Sequence, residues 1–173
     1  MILMTETIVR TLDSTVLHVV RTRLVTDYPN QIRECVAVLD EAQLWWRPNE
    51  QANAIGNLIL HLAGSTRFYI AHAIGGAAFN RDRDAEFAAR EPVSRPELMR
   101  RFDEVWTEVE RVLGTLDPAR LMETTDRTGK STTHAQILLH VLGHVATHTG
   151  QIVYATKLLK AGAIHELWQK TRS

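Results

Sequence analysis

The sequence predicts an all-α protein in which four long helices form one bundle. Apolar residues recur at steps of three and four in four long segments, which is the period of an amphipathic helix. No segment shows the apolar–polar alternation that predicts a half-buried strand, and the loops between the segments are short to moderate. A chain of 173 residues is long enough to bury its own core, so residues 1–173 are expected to form a single domain.

The first predicted helix runs from about Ser14 to Leu39. Pro29 lies inside it and lacks a backbone N–H, so we expect a kink or a break near Tyr28. Cys35 is the only cysteine, which excludes an intramolecular disulfide. It lies at helical spacing within IRECVAVL, and this position favours a buried core thiol over a nucleophile.

The second predicted helix begins near Asn53 or Ala54 and ends at about Ile74. Two glycines follow it, and glycine readily adopts the left-handed conformation that ends helices. Residues 77–92 are rich in charge and are expected to form a loop, with at most a short turn.

The third predicted helix begins at Ser94, with Glu97 at the spacing of a capping box, and it ends within residues 114–118. Residues 123–130 are expected to form an extended loop that turns at Gly129.

The fourth predicted helix carries most of the histidines. Capping residues lie within residues 131–133, and the helix should reach Lys160 or Ala161 before Gly162 ends it. Four of the eight histidines of the chain fall on it, namely His134, His140, His144 and His148.

Histidines four residues apart on a helix project from the same face. Each residue turns the helix by about 100°, so a four-residue step returns to within about 40° of the same direction. His144 and His148 could therefore share one metal ion, and His140 extends the row by one turn. This spacing alone does not select two ligands from the three.

His61 is the expected partner from a second helix. It lies in the apolar run NLILHLAG, where a surface position is improbable. A buried imidazole needs a polar partner, because leaving it unsatisfied costs a few kcal/mol. A metal ion between the helices would satisfy it, and so would a hydrogen bond to the backbone or to a tyrosine. Three neutral nitrogens would leave an open coordination position, which is typical of catalytic metal sites.

Composition argues against two classes of partner. Twenty basic residues balance twenty acidic ones, whereas nucleic-acid-binding proteins usually show a basic excess. No run approaches the roughly 20 apolar residues of a membrane span, and the first residues do not resemble a signal peptide. We therefore expect a cytoplasmic protein that binds neither nucleic acid nor membrane.

Three segments of the chain resemble DinB-like proteins, the DNA-damage-inducible four-helix-bundle superfamily. They are RPNEQANAIGNLILHLAGSTRFYIAHAIGG, RDRDAEF and LLHVLGHVATHTGQIVYATKLL, and the similarity extends over about residues 33–159. The most specific feature is N-x-x-x-H-L followed later by H-x3-H-T-G-Q-I. The nearest resemblance is to a branch of small bacterial proteins of unassigned activity.

The resemblance implies an up-down-down-up bundle that is often a homodimer. It also implies one divalent ion, variously zinc, nickel or another metal, bound by His61, His144 and His148. His140 matches a position that is commonly histidine but not usually a ligand. Gly143 departs from the pattern, because close relatives usually carry glutamate there.

The resemblance also suggests a reaction, since characterised relatives are transferases and isomerases that use low-molecular-weight bacterial thiols. The leading hypothesis is therefore a metal-dependent thiol S-transferase. Asn57, Arg67 and Gln151 lie near the expected ligands along their helices and are candidates to orient the thiol or the substrate. Each of them could equally be a helix cap or a surface polar residue.

Two alternative functions remain at the level of the sequence. A metal-dependent hydrolase needs a general base, but no acidic residue stands beside the expected ligands in the sequence. A non-catalytic metal-binding or small-ligand-binding module is the other alternative. The sequence identifies no catalytic residue.

Overall fold

Four long helices form the bundle in the computed structural model, which describes residues 11–88 and 93–164. The first long helix consists of α1 (Leu12–Arg21), a π-helical segment (Thr22–Asp27) and α2 (Tyr28–Val38). The second consists of α4 (Ile55–Thr66) and a π-helical segment (Arg67–Ile74), the third is α6 (Arg95–Thr115), and the fourth is α7 (His134–Leu159).

Shorter elements connect the long helices. They are α3 (Glu41–Leu44), α5 (Arg83–Ala88), a 3₁₀ turn (Pro118–Arg120), and strands β1 (Thr124–Thr125) and β2 (Thr132–Thr133), which pair antiparallel. The helix α5 lies within the segment expected to be a loop. The two strands flank a turn at Gly129, where φ is +85°, and so form a short hairpin in place of the expected extended loop.

Contacts between the long helices define their directions. The first and third helices are antiparallel, the second and fourth are antiparallel, and the second and third are parallel, which confirms the up-down-down-up arrangement. The contacts that show this are Leu24–Trp106, Arg33–Asp103, His61–His148, Tyr69–His140, Arg67–Glu108 and Gly75–Val112.

The first long helix continues through the region where Pro29 was expected to kink or break it. The π-helical segment changes the hydrogen-bond register there, and the Tyr28 N–H donates to the carbonyl of Arg23, five residues back. In this register Pro29 would be the donor to the carbonyl of Leu24, but proline has no N–H. The indole Nε1–H of Trp106 donates to that carbonyl instead, at 2.6 Å.

The two predicted helix caps have different outcomes. Ser94 is the N-cap residue of α6, but its side chain makes no capping hydrogen bond, so the predicted capping box is wrong. Glu97 instead accepts hydrogen bonds from Arg100 and Arg101. The prediction of caps within residues 131–133 is confirmed, because the Thr133 side chain accepts from the backbone of α7 within a complete capping box.

The remaining two features concern the Cys35 thiol and the apolar character of the helices. Cys35 is fully buried, as expected for a core thiol, and burial raises the pKa of its thiol to about 11. Among the described residues, no helix combines the length and the apolar character needed to cross a lipid bilayer.

We predict that Trp106→Phe lowers the free energy of unfolding by about 1–3 kcal/mol, because it leaves the buried carbonyl of Leu24 without a donor. The cost should be clearly smaller in a Pro29→Ala background, where residue 29 regains an N–H that can reach the same carbonyl. Urea unfolding of the four proteins in this double-mutant cycle measures the coupling. Equal costs in both backgrounds would contradict this account of the π-helical segment.

Candidate metal centre

Three histidines from two antiparallel helices meet in the bundle. His61 of α4 faces His144 and His148 of α7, and their candidate ligand nitrogens all lie within 4.8 Å of one another. The Nε2 atoms of His61 and His144 are 2.9 Å apart. His61 is buried and the other two are half-buried, so the group has one enclosed side and one more accessible side. These are the three residues that the sequence resemblance selected.

Hydrogen bonds set the tautomers of two of these rings. Nδ1 of His61 lies 2.9 Å from Oε2 of Glu86, and Nδ1 of His148 lies 2.7 Å from Oε1 of Gln151. An ionised carboxylate and an amide oxygen can only accept, so each Nδ1 carries the proton. The Nε2 lone pair of each ring is then free to bind a metal ion, as in many carboxylate–histidine metal sites.

The half-buried histidines are neutral at neutral pH. Burial lowers the pKa of His144 to about 4, with further lowering by the nearby imidazoles of His148 and His61. Burial also lowers the pKa of His148, against an opposing effect of its hydrogen bond to Gln151. Because a metal ion binds only the unprotonated nitrogen, this donor set fits a divalent ion that accepts imidazole ligands.

Glu86 is the residue that the sequence analysis missed. It lies on α5, and its side chain is only 10% exposed. Arg81 donates to both of its oxygens, at 2.8 and 2.7 Å. Burial tends to raise the pKa of Glu86, but the hydrogen bonds from Arg81 and His61 outweigh burial and lower it. Glu86 is therefore ionised and able to hold the Nδ1 proton of His61.

Arg81 also approaches His61, but at a longer distance. Its Nη2 lies 3.3 Å from Nδ1 of His61, whereas the Glu86 oxygen lies 2.9 Å from the same atom. The guanidinium can only donate, so the shorter contact to an acceptor decides where the imidazole proton points. The role of Arg81 is thus to pair with the buried carboxylate.

The docking of α5 depends on a glycine and an aromatic ring. A Cβ at Gly64 would lie 2.0 Å from Oε1 of Glu86, so the carboxylate occupies space that any other residue would fill. The ring of Phe87 packs against that of His61, with centroids 4.4 Å apart. The side-chain amide of Asn57 donates to the backbone carbonyl of Glu86 at 3.3 Å. Three groups of α4 thus meet this short helix.

The three candidates for cofactor binding occupy different places. Gln151 contacts His148 directly, and buried Asn57 supports α5 and accepts a hydrogen bond from Arg47. Arg67 instead pairs with Glu108 in the wall of a separate cavity of about 620 Å³. The structure therefore brings only the first two near the histidines, and a role for any of them in holding a cofactor stays a prediction.

Two neighbours of the cluster on α7 do not join it. His140 is exposed, packs edge-on against Tyr69, and stacks on His144 with ring centroids 6.0 Å apart. Gly143 faces open space, since a Cβ built there would meet no atom within 4 Å. Gly143 therefore adds no side chain to the surroundings of the cluster.

Comparison with known proteins confirms the predicted DinB-like fold. The family model of a protein of unknown function, DUF1572, matches residues 12–169. A DinB-like protein from Bacillus subtilis has a TM-score of 0.62 at 17% identity, covering 83% of this chain and 93% of its own. A conserved protein from Enterococcus faecalis has a TM-score of 0.65 at 15% identity, covering 83% of this chain and 96% of its own. A DinB-like protein from Bacillus cereus has a TM-score of 0.62 at 16% identity, covering 78% of this chain and 87% of its own.

The likeness to these solved structures concerns the fold alone, because their sequences have diverged so far. No curated protein is significantly similar to the chain. The DinB-like fold together with the histidine triad fits a metal-binding module.

We predict opposite effects for two Gly→Ala changes beside the cluster. Gly64→Ala should displace the Glu86 carboxylate from Arg81 and His61 and destabilise the protein by about 1–3 kcal/mol. Gly143→Ala, the matched control, meets nothing and should stabilise α7 by up to about 1 kcal/mol. Urea unfolding measures both effects, and imidazole ¹⁵N shifts report the tautomer of His61. An unchanged tautomer and stability in Gly64→Ala would contradict the fixed contact.

Proposed function

The chain belongs to the DUF1572 family of proteins of unknown function, and from its own site we propose that it is a divalent-metal-dependent enzyme. The proposal rests on one observation, the convergence of His61, His144 and His148 with two of their Nδ1 atoms anchored outside the cluster. Zinc and nickel both accept imidazole ligands, so either suits the donor set. A metal ion bound there would act as a Lewis acid and favour the thiolate form of a thiol.

The leading reaction is the transfer of a low-molecular-weight thiol to an electrophilic substrate. The resemblance to DinB-like thiol transferases supports it. In such a transfer the thiol would release its proton to solvent, its sulfur would form a bond to a substrate carbon, and the leaving group would depart with the electrons of the broken bond. The protein contributes fixed imidazoles, because Glu86 and Gln151 hold two of the rings at their outer nitrogens.

Hydrolysis is less well supported by the same site. A hydrolase needs a base with a free lone pair near the attacking water. Glu86 is the carboxylate that contacts the cluster, yet Arg81 and His61 occupy both of its oxygens. Its lowered pKa also makes it a weak base. Its contacts suit the positioning of His61 better than proton transfer.

We also propose that two copies of the chain associate through the outer face of α7. Leu139, Tyr154 and Leu158 of this helix are 57%, 67% and 59% exposed. Steps of fifteen and four residues place them within a sector of about 100° around the helix, so they share one face. Large apolar side chains that follow one exposed face are typical of a protein–protein interface, and a second copy would cover them.

We predict that the cobalt-substituted protein binds a low-molecular-weight thiol directly. Adding bacillithiol, mycothiol or glutathione should produce a new sulfur-to-cobalt absorption band in the near ultraviolet for at least one of these thiols. His144→Ala/His148→Ala should bind less than a tenth of the metal, as measured by elemental analysis of protein purified without an affinity tag.

Two results would count against the proposed function. Metal retained at one ion per chain in the double variant would refute the ligand assignment. A cobalt spectrum that no thiol perturbs would refute the transferase reaction. Metal-dependent turnover of simple esters would then indicate a hydrolase, and a ligand-dependent change of oligomeric state without turnover would indicate a binding module.

We predict that Tyr154→Glu/Leu158→Glu converts a dimer into a monomer without loss of helical content. Burying two carboxylates against a second copy is unfavourable, whereas the monomer keeps them in water. Light scattering coupled to size exclusion gives the mass. Met122→Glu, at an equally exposed apolar residue outside α7, is the matched control and should leave the mass unchanged. A wild-type protein that is monomeric at high concentration would refute the dimer.

A further inference from the structure

A second cavity, of about 340 Å³, lies beside α7 on the N-terminal side of the histidine cluster. It is a half-open cavity bordered by the second long helix, the hairpin loop and the first turns of α7. Its described walls are formed by Tyr69, Thr128, Lys130, Ser131, Thr132, Gln136, Ile137 and His140. We propose that it binds the anionic end, a carboxylate or a phosphate, of the small molecule whose other end reaches the histidine cluster. The anion site is independent of the proposed metal function, whereas the reach of the same molecule to the histidine cluster rests on it.

The charge of the cavity wall selects an anion. Lys130 is the one permanently charged side chain among the wall residues, and none of them is acidic. In the part of the chain that the structure describes, Lys130 takes part in no ion pair. An ammonium group without a carboxylate partner, in a wall that also carries hydroxyl and amide side chains, is suited to a carboxylate or a phosphate.

The larger cavity of about 620 Å³ has the opposite character. Its wall contains four carboxylates, those of Asp82, Glu86, Glu104 and Glu108, against the two guanidinium groups of Arg67 and Arg101. Both of these guanidinium groups already pair with carboxylates, Arg67 with Glu108 and Arg101 with Glu97. Among its described wall residues the larger cavity therefore offers an anion no unpaired cation, whereas the smaller one offers Lys130.

The backbone that carries Lys130 is held in place. The hydroxyls of Thr128 and Thr132 donate to the carbonyl of Lys130, at 2.9 and 3.1 Å. The pairing of β1 with β2 closes the base of the same loop, and the turn uses the positive φ of Gly129. The backbone at Lys130 is thus constrained by its loop, so the base of the lysine side chain stays beside the cavity.

His140 and Tyr69 connect this cavity to the histidine cluster. Both line the cavity, and their ring centroids are 4.8 Å apart. His140 stacks on His144, with ring centroids 6.0 Å apart. Four residues along a helix correspond to a rise of about 6 Å. The cavity and the cluster thus lie on the two sides of His140, about one helical turn apart, and the proposed molecule would extend across the exposed ring of His140.

The first experiment tests the cavity without any metal. Inorganic phosphate and succinate are titrated separately, at constant ionic strength, into the metal-free ¹⁵N-labelled full chain. We expect saturable shifts of the backbone amides of Lys130, Ser131 and Thr132 with at least one anion, and which anion binds identifies the anionic group. Lys130→Gln should weaken binding at least fivefold. Lys157→Gln, which removes an equally exposed lysine of α7, should change it less than twofold.

Two results would overturn the anion site. One is the absence of saturable shifts at these amides with both anions. The other is an equal loss of affinity in Lys130→Gln and Lys157→Gln, which would indicate non-specific charge attraction. Because the protein contains no metal in this experiment, both results are independent of the proposed metal function.

The second experiment tests whether one molecule spans both sites. Mercaptocarboxylates of increasing chain length are compared with alkanethiols of the same length on the cobalt-substituted protein. We expect one chain length at which the mercaptocarboxylate binds at least tenfold more tightly than its alkanethiol, with the advantage lost in Lys130→Gln. Equal affinities at every length would refute the bridging molecule. Protein that takes up no cobalt would refute the metal function and leave the anion site to the first experiment.

Discussion

The buried imidazole of His61 is the constraint on which the candidate site depends. An imidazole inside the apolar contact between α4 and α7 requires polar partners for both of its nitrogens. Glu86 lies against one nitrogen and His144 against the other. Each contact also positions another helix. The contact with Glu86 holds α5 against the bundle, and the contact with His144 fixes the register of α7 against α4.

The contact with Glu86 has consequences of its own. A buried carboxylate is costly unless it is paired, and Arg81 provides that pair. The carboxylate also needs room against α4, which Gly64 provides by lacking a side chain. A short helix outside the bundle thereby becomes part of the site, although it contributes none of the three clustered imidazoles.

The sequence predicts those features that depend on local periodicity. The apolar stripes predict the four long helices, and the four-residue spacing predicts that His144 and His148 share a face. Features decided by tertiary contacts were missed. Glu86 stands in a charged run that looks solvent-exposed, and nothing in its spacing marks it as a partner of His61. The capping box of Ser94 and Glu97 does not form, and the Glu97 carboxylate pairs with Arg100 and Arg101 instead. The π-helical segment near Pro29 depends on an indole from another helix.

The separation of the clustered residues along the chain affects when the site can form during biosynthesis. His61 and His144 are 83 positions apart, whereas His61 and Glu86 are only 25 apart. A contact between close positions loses less chain entropy and generally forms earlier. The proton of His61 can thus be fixed on the correct nitrogen while α7 is still being synthesised. The three imidazoles can come together only after the last long helix has been made, so the proposed metal site is completed late in synthesis.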